Sequence, residues 1–201
     1  MPYCFIEERC FGLESILVAA SKEPALRSLT ELLRTNNYQD VVCAENGEEV
    51  RSLCSVRDFS AVIINVPLSD ESGEKIAAEI LKNSTASVML IVGEEHEAHA
   101  ESVITGLGGI VITKPLNRVL FSKAVKLAVA MNIRLSGVRR ENVMLQKKME
   151  DVRIINRAKA ILMEYLSMSE SQAHKYLEKQ SMDLRLPKVE VAKNLLSTYD
   201  S

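Results

Sequence analysis

The chain has 201 residues, 47% of them hydrophobic, 26% charged and 4% aromatic, with no Trp, 8 Gly and 5 Pro. That is enough for one medium domain and a small one, and it excludes a disulfide-stapled peptide, a collagen-like repeat and a disordered chain. The net charge of −2 conceals an asymmetry: residues 1–138 carry 13 Lys and Arg against 18 Asp and Glu, whereas residues 139–201 carry 12 against 9. Charged residues break every apolar run before the roughly 20 residues that a membrane helix needs, so no membrane partner is expected. The opening MPYCFIEERC carries three charges in its first nine residues and lacks the pattern of a secretory signal; the expected location is the cytoplasm. Cys4, Cys10, Cys43 and Cys54 are too widely spaced for a CxxC pair and are expected to remain reduced, as core or surface thiols.

In chain order, five short aliphatic runs come first: SILVAA (15–20), VVCAE (41–45), AVIINV (61–66), SVMLIV (87–92) and GIVIT (109–113), each followed by helix-forming sequence. Continuous apolar runs of this length suit strands buried on both faces, and their alternation with helices implies right-handed crossovers in a parallel sheet. A small doubly wound α/β domain is therefore expected, with its functional crevice beyond the carboxyl ends of the strands. His96 and His99 could share a helix face, but with no third ligand nearby no metal is expected there, nor any cofactor elsewhere.

From Phe121 the period changes. Phe121, Ala124, Ala128, Met131, Leu135, Val138, Asn142, Leu145, Met149 and Val152 are separated alternately by three and four residues, the spacing of a coiled-coil seam. A parallel homodimer is expected through Met131, Leu135, Val138, Asn142, Leu145, Met149 and Val152, with Asn142 at an a position fixing register. The alternative is one long helix folding back on its own domain. Gly137 within the seam is a candidate bend. Further on, Ser169 with Gln172 forms a capping-box pattern that starts a helix, and Pro187 suits the first turn of the last one. The expected division is 1–118 for the α/β domain, 119–152 for the coil and 153–201 for a small three-helix all-α domain, which is too short to bury much alone.

The order of elements and the ITKP stretch ending in Lys114 and Pro115 resemble the receiver domain of bacterial two-component response regulators. The resemblance implies a receiver-like, flavodoxin-type fold in which acidic residues after the first strand hold Mg²⁺, an Asp ending the third strand accepts phosphate, a Ser or Thr ends the fourth and a Lys the fifth. This chain has Ala19 and Ala20 at the acidic pair, Asn65 at the phosphoacceptor with Gly73 eight residues on, and Val92 at the hydroxyl; Lys114 alone matches. An amide is no nucleophile and two methyl groups offer no oxygen to a hard cation, so a receiver without phosphorylation chemistry is expected. Glu23 or Asp70 supplying a carboxylate from a shifted position is the one rescue.

The stretch 153–196 resembles the ANTAR domain, an RNA-binding three-helix module of bacterial transcription antiterminators. The resemblance rests on Ile155, Arg157, Ala158, Lys159, Ile161, Leu162 and Met163, then Ser169, Glu170, Ala173, Leu177 and a displaced Tyr176, then Val191 and Ala192; Ala160 stands where Gly is usual. It implies a tandem hairpin in a nascent transcript as partner, bound by a dimer so that a competing terminator cannot form. The candidate contacts are the cations Arg153, Arg157, Lys159, Lys175, Lys179 and Arg185, the planar Tyr165 and His174, and the small Ala158. The same charges could merely solvate helices, and Ala158, Ile161 and Leu162 have the i, i+3, i+4 spacing of packing residues. The expected function is antitermination without catalysis, since no nucleophile–base arrangement or phosphate-cradling glycine loop is present. A sensor or regulator protein is a further expected partner, and a phosphorylation-independent signalling adaptor is the alternative.

Overall fold

The computed structural model describes residues 14–199; Cys4 and Cys10 lie outside them. The elements are β1 (Ile16–Ala20), α1 (Glu23–Thr35), β2 (Val41–Ala44), α2 (Gly47–Val56), β3 (Ala61–Asn65), α3 (Gly73–Asn83), β4 (Ser87–Val92), α4 (Glu97–Ile104), β5 (Ile110–Thr113), α5 (Arg118–Leu166), α6 (Glu170–Leu184) and α7 (Lys188–Tyr199). The five strands form one parallel sheet in the order β2-β1-β3-β4-β5. The chain divides into two compact units, Met1–Gly137 and Val138–Ser201.

Strand alternation explains the first unit. Leu17, Val62, Ile64, Val88 and Leu90 point to one face of the sheet, where Val50 of α2, Ile76 and Ile80 of α3 and Ile104 of α4 cover them. Ile16, Val18, Ile63, Met89 and Ile91 point to the other, under Leu26, Leu29 and Leu33 of α1 and Phe121, Val125, Ala128 and Val129 of α5. Because β1, β3 and β4 are covered on both sides, every second residue is as apolar as its neighbour, which is why their runs are continuous. Strand order reverses between β1 and β3, so the crevice at a doubly wound switch point lies where β1 and β3 end, at Ala20 and Asn65.

Helix α5 corrects the expected seam. Phe121 and Ala128, assigned to a partner-facing stripe, are fully buried against the sheet of their own unit. Polar contacts lock the same stretch: Asn132 Nδ2 donates to the Thr85 carbonyl at 2.7 Å, and Ser87 Oγ donates to the Ala128 carbonyl at 2.7 Å. The fold-back alternative therefore holds for the first turns. Beyond them Leu135, Val138, Leu145, Met149 and Val152 are exposed, as is Asn142. Gly137 lies within the continuous helix, and the expected divisions at 118 and 152 both fall inside it.

In the second unit the capping box forms as the sequence indicates, with Ser169 Oγ accepting from the Gln172 amide and Gln172 Oε1 accepting from the Ser169 amide at 2.8 Å. Helix α6 ends at Arg185, whose φ of 53° places it in the left-handed region that terminates helices. Ala158 and Leu162 of α5, Ala173 and Leu177 of α6, and Val191, Ala192 and Leu196 of α7 make the core. With so small a core, Leu162→Ala is expected to cost about 2–5 kcal/mol. In urea titration followed by circular dichroism, the helical signal of the tail should be lost earlier than in the parent, while that of the α/β unit stays; an unchanged profile would show that this core does not hold the tail together.

Candidate functional site

At the sheet's rim, Ala19 and Ala20 end β1 and Val92 ends β4, all without solvent exposure, and Asn65 ends β3 half-buried. Lys114, just past β5, donates from Nζ to the Val66 carbonyl at 2.6 Å. Burial pushes its pKa down and nearby Lys22 adds to that, while Glu95 opposes it. The ammonium thus serves the backbone beside Asn65. Ser21 Oγ donates to the Pro67 carbonyl at 3.0 Å, tying the same loop to the end of β1. Gly73 has a packing reason: a Cβ there would meet Val66 Cγ2 at 2.8 Å.

The two rescuing carboxylates are occupied elsewhere. Glu23 pairs with Arg27 on the exposed side of α1. Asp70 accepts from the Gly47 amide at 2.9 Å and the Glu48 amide at 3.2 Å, so it caps α2 together with Asn46. Glu71 pairs with Arg51, which also reaches Glu79 at 2.9 Å. These contacts stitch the β3–α3 loop to α2. Asn46 before Gly47-Glu48-Glu49 signals the cap locally, but Asp70 lies 23 residues away from Gly47 and gives no local signal. Glu74, buried at the start of α3, is held below the usual carboxylate range although burial opposes this, chiefly because it accepts from Ser72 Oγ.

The amides of Gly47 and Glu48 hold the Asp70 carboxyl below its usual range. A depressed acid stabilises the fold above its unfolded pKa, and this contribution is lost as pH falls through its folded value. Asp70→Ala should therefore melt lower than the parent at neutral pH, and the gap should close below about pH 4. Melting curves across that range check this; a gap that stays constant with pH would show that the charge at Asp70 is not what caps α2.

In the tail, the structure separates the expected contact residues. Ala158 is fully buried among Leu162, Ala173 and Leu177, which corrects its assignment as an exposed small group: its methyl is needed where α5 meets α6. Lys159, with 15% of its side chain exposed, pairs through Nζ with Glu170 Oε1 at 2.9 Å. His174 Nε2 lies 3.3 Å from Glu178 Oε1, and Lys188 Nζ contacts the same oxygen, joining α6 to α7. Arg153 is exposed beside Glu150 at 3.6 Å; Arg157, Arg185 and Tyr165 are exposed too. Lys175 and Lys179 are one turn apart on the side of α6 opposite Ala173 and Leu177, with Ser171 and the 78%-exposed Met182. The Lys159–Glu170 and Lys188–Glu178 pairs were not foreseen, since each joins helices through residues ten or eleven apart.

The stripe on α5 also differs from its expected register. Leu120 and Leu127 are exposed and Ala124 and Met131 half-buried, so the outward series runs 120, 124, 127, 131, 135. Two successive steps of four form a stutter, which joins this series to the exposed stripe from Leu135 through Val152.

A five-stranded parallel sheet in the order β2-β1-β3-β4-β5 followed by a helical tail is a receiver-like fold with a separate all-α unit, and comparison with known proteins bears on both halves. Residues 144–196 match the ANTAR domain model. The chain is 25% identical over 183 residues to the transcriptional regulatory protein PdtaR of Mycobacterium tuberculosis, spanning 91% of this chain and 89% of that protein. It is 28% identical over 130 residues to the aliphatic amidase regulator of Pseudomonas aeruginosa, spanning 64% and 66%. Among solved structures it resembles a response regulator receiver domain protein from Clostridium thermocellum, with a TM-score of 0.55 at 22% identity over 61% of this chain and 99% of that one. A chain described as adenylate cyclase from Rhodopirellula baltica also superposes, with a TM-score of 0.56 at 17% identity over 67% of this chain and 98% of that one, a likeness of fold alone. The protein has a receiver-plus-ANTAR architecture.

Proposed function

We propose that this protein is a transcription antitermination regulator that binds tandem-hairpin RNA as a parallel homodimer and does no catalysis. The observation that carries the reading is the ANTAR match over residues 144–196 on a tail whose α6 turns Lys175 and Lys179 outward. Exposed ammonium groups one turn apart can neutralise successive phosphates and release counterions. Arg153, Arg157 and Arg185 add charge, and Tyr165 and His174 add planar surface on which an unstacked loop base can rest. Lys159 contributes by holding α5 to α6 through Glu170.

The receiver-like unit takes no phosphate in this reading. Ala19, Ala20 and Asn65 put no carboxylate at the three receiver positions, and the Asp70 and Glu23 oxygens serve α2 and Arg27. Dimerisation runs through Leu135, Val138, Asn142, Leu145, Met149 and Val152, whose apolar members are each about half exposed in the single chain. A signalling adaptor would use the same architecture through protein contacts alone, and RNA binding separates the two.

Binding of the full chain to a two-hairpin RNA, followed by fluorescence anisotropy, is expected to weaken steeply with salt. Lys175→Ala with Lys179→Ala should lower the slope of log affinity against log salt by about 0.7 for each phosphate that is no longer neutralised. Affinity without salt dependence, or none at low ionic strength, leaves the adaptor. For the coil, Leu145→Lys with Met149→Lys places two charges in the seam, and sedimentation should find the variant monomeric at concentrations where the parent is a dimer. A parent that sediments as a monomer at micromolar concentration would contradict the seam.

A further inference from the structure

The receiver-like unit has a second concavity, away from the rim. A groove of about 760 Å³ lies between α1 and the first turns of α5. Arg118, Lys123 and Lys126 line it from α5, together with Ser122, and Ser28 and Glu31 line it from α1. Arg118, Ser122 and Lys126 follow at intervals of four, so they stand in one row along the helix. Glu31 is the one acidic lining residue, which leaves the groove with an excess of two positive charges.

Some cations of this unit are paired with carboxylates and others are not. Arg27, Arg51 and Arg57 each have a carboxylate partner, in Glu23, Glu71 and Asp40. Among the described residues no ion pair involves Arg118, Lys123 or Lys126. Three cations gathered around one concavity repel each other unless something anionic sits among them. The groove also has an apolar side: Leu32 and Leu116 are half-buried in it and Val119 is exposed beside them. Its volume is that of a small-molecule site, in which an apolar surface holds the body of a ligand and a few polar groups fix its orientation.

We propose that this groove binds a nucleotide, with the phosphates of a nucleoside diphosphate on Arg118, Lys123 and Lys126 and the base against Leu32, Leu116 and Val119. The hydroxyls of Ser28 and Ser122 supply further donors to the phosphate oxygens. Such a ligand joins α1 to the beginning of α5, the helix that continues into the seam. It gives the unit a chemical input that needs neither an acceptor carboxylate nor a magnesium cage at the rim. The assignment does not depend on what the tail binds.

The test is calorimetric titration of the full-length protein with ADP, pyrophosphate and adenosine at low ionic strength. ADP is expected to bind once per chain, pyrophosphate more weakly and adenosine not measurably. Arg118→Ala with Lys123→Ala removes two charge-assisted hydrogen bonds and should weaken ADP by about a hundredfold, roughly tenfold for each. These positions are exposed, and an unchanged melting curve establishes that the variant is folded. Lys175→Ala with Lys179→Ala, on the tail, should leave ADP binding as it was; weaker ADP binding in that variant would move the site to the tail and overturn the proposal. No binding of ADP, or full binding by the groove variant, overturns it as well. Pyrophosphate binding as tightly as ADP would overturn the role of the apolar side.

Discussion

Helix α5 imposes the constraint on which the rest turns. It is 49 residues long, and its apolar surface does not end where its packing on the sheet ends. Phe121, Val125, Ala128 and Val129 are buried in the first unit, and Asn132 is pinned to Thr85. From Leu135 to Val152 a stripe of large side chains, each about half exposed or more, faces water. Leaving Leu145, Met149 and Val152 half exposed forgoes roughly half of the about 1.5–3 kcal/mol that full burial of each such side chain contributes. The proposed second copy is what would cover that stripe.

Much of this was legible from residue order, for reasons that differ by element. The strands were readable because β1, β3 and β4 are apolar on both faces, and each begins and ends within a residue or two of its run. The α6 cap was readable because both of its partners lie within one turn. Misreading began where a pattern had two physical meanings. Phe121 and Ala128 satisfy a heptad, but the same spacing serves a helix lying on its own sheet, and only the fold decides between them. Ala158 is likewise a small residue whose value lies in letting helices approach. Asp70 and the Lys159–Glu170 pair were not legible, since neither leaves a periodic trace.

The rim and the tail form a contrast in electrostatics. At the rim, methyl groups and an amide stand where a receiver would gather carboxylates, and Lys114 is turned to the Val66 carbonyl. In the tail, Lys159 and Lys188 are absorbed into contacts between helices, while Lys175 and Lys179 are turned outward, where an anionic partner can reach them. The proposed work of the molecule follows this division: the sheet organises the start of α5, and the outward charges of α6 meet the transcript in two copies held by one seam.

Two copies on one coil should make two neighbouring hairpins bind as one ligand. The most direct measurement compares the affinity of the intact protein for an RNA with two adjacent hairpins and for the same RNA with one hairpin deleted, together with the mass of each complex. The account predicts two chains on the tandem RNA and an affinity gain of about a hundredfold or more over the single hairpin. Equal affinity for both RNAs, with one chain on each, would contradict it.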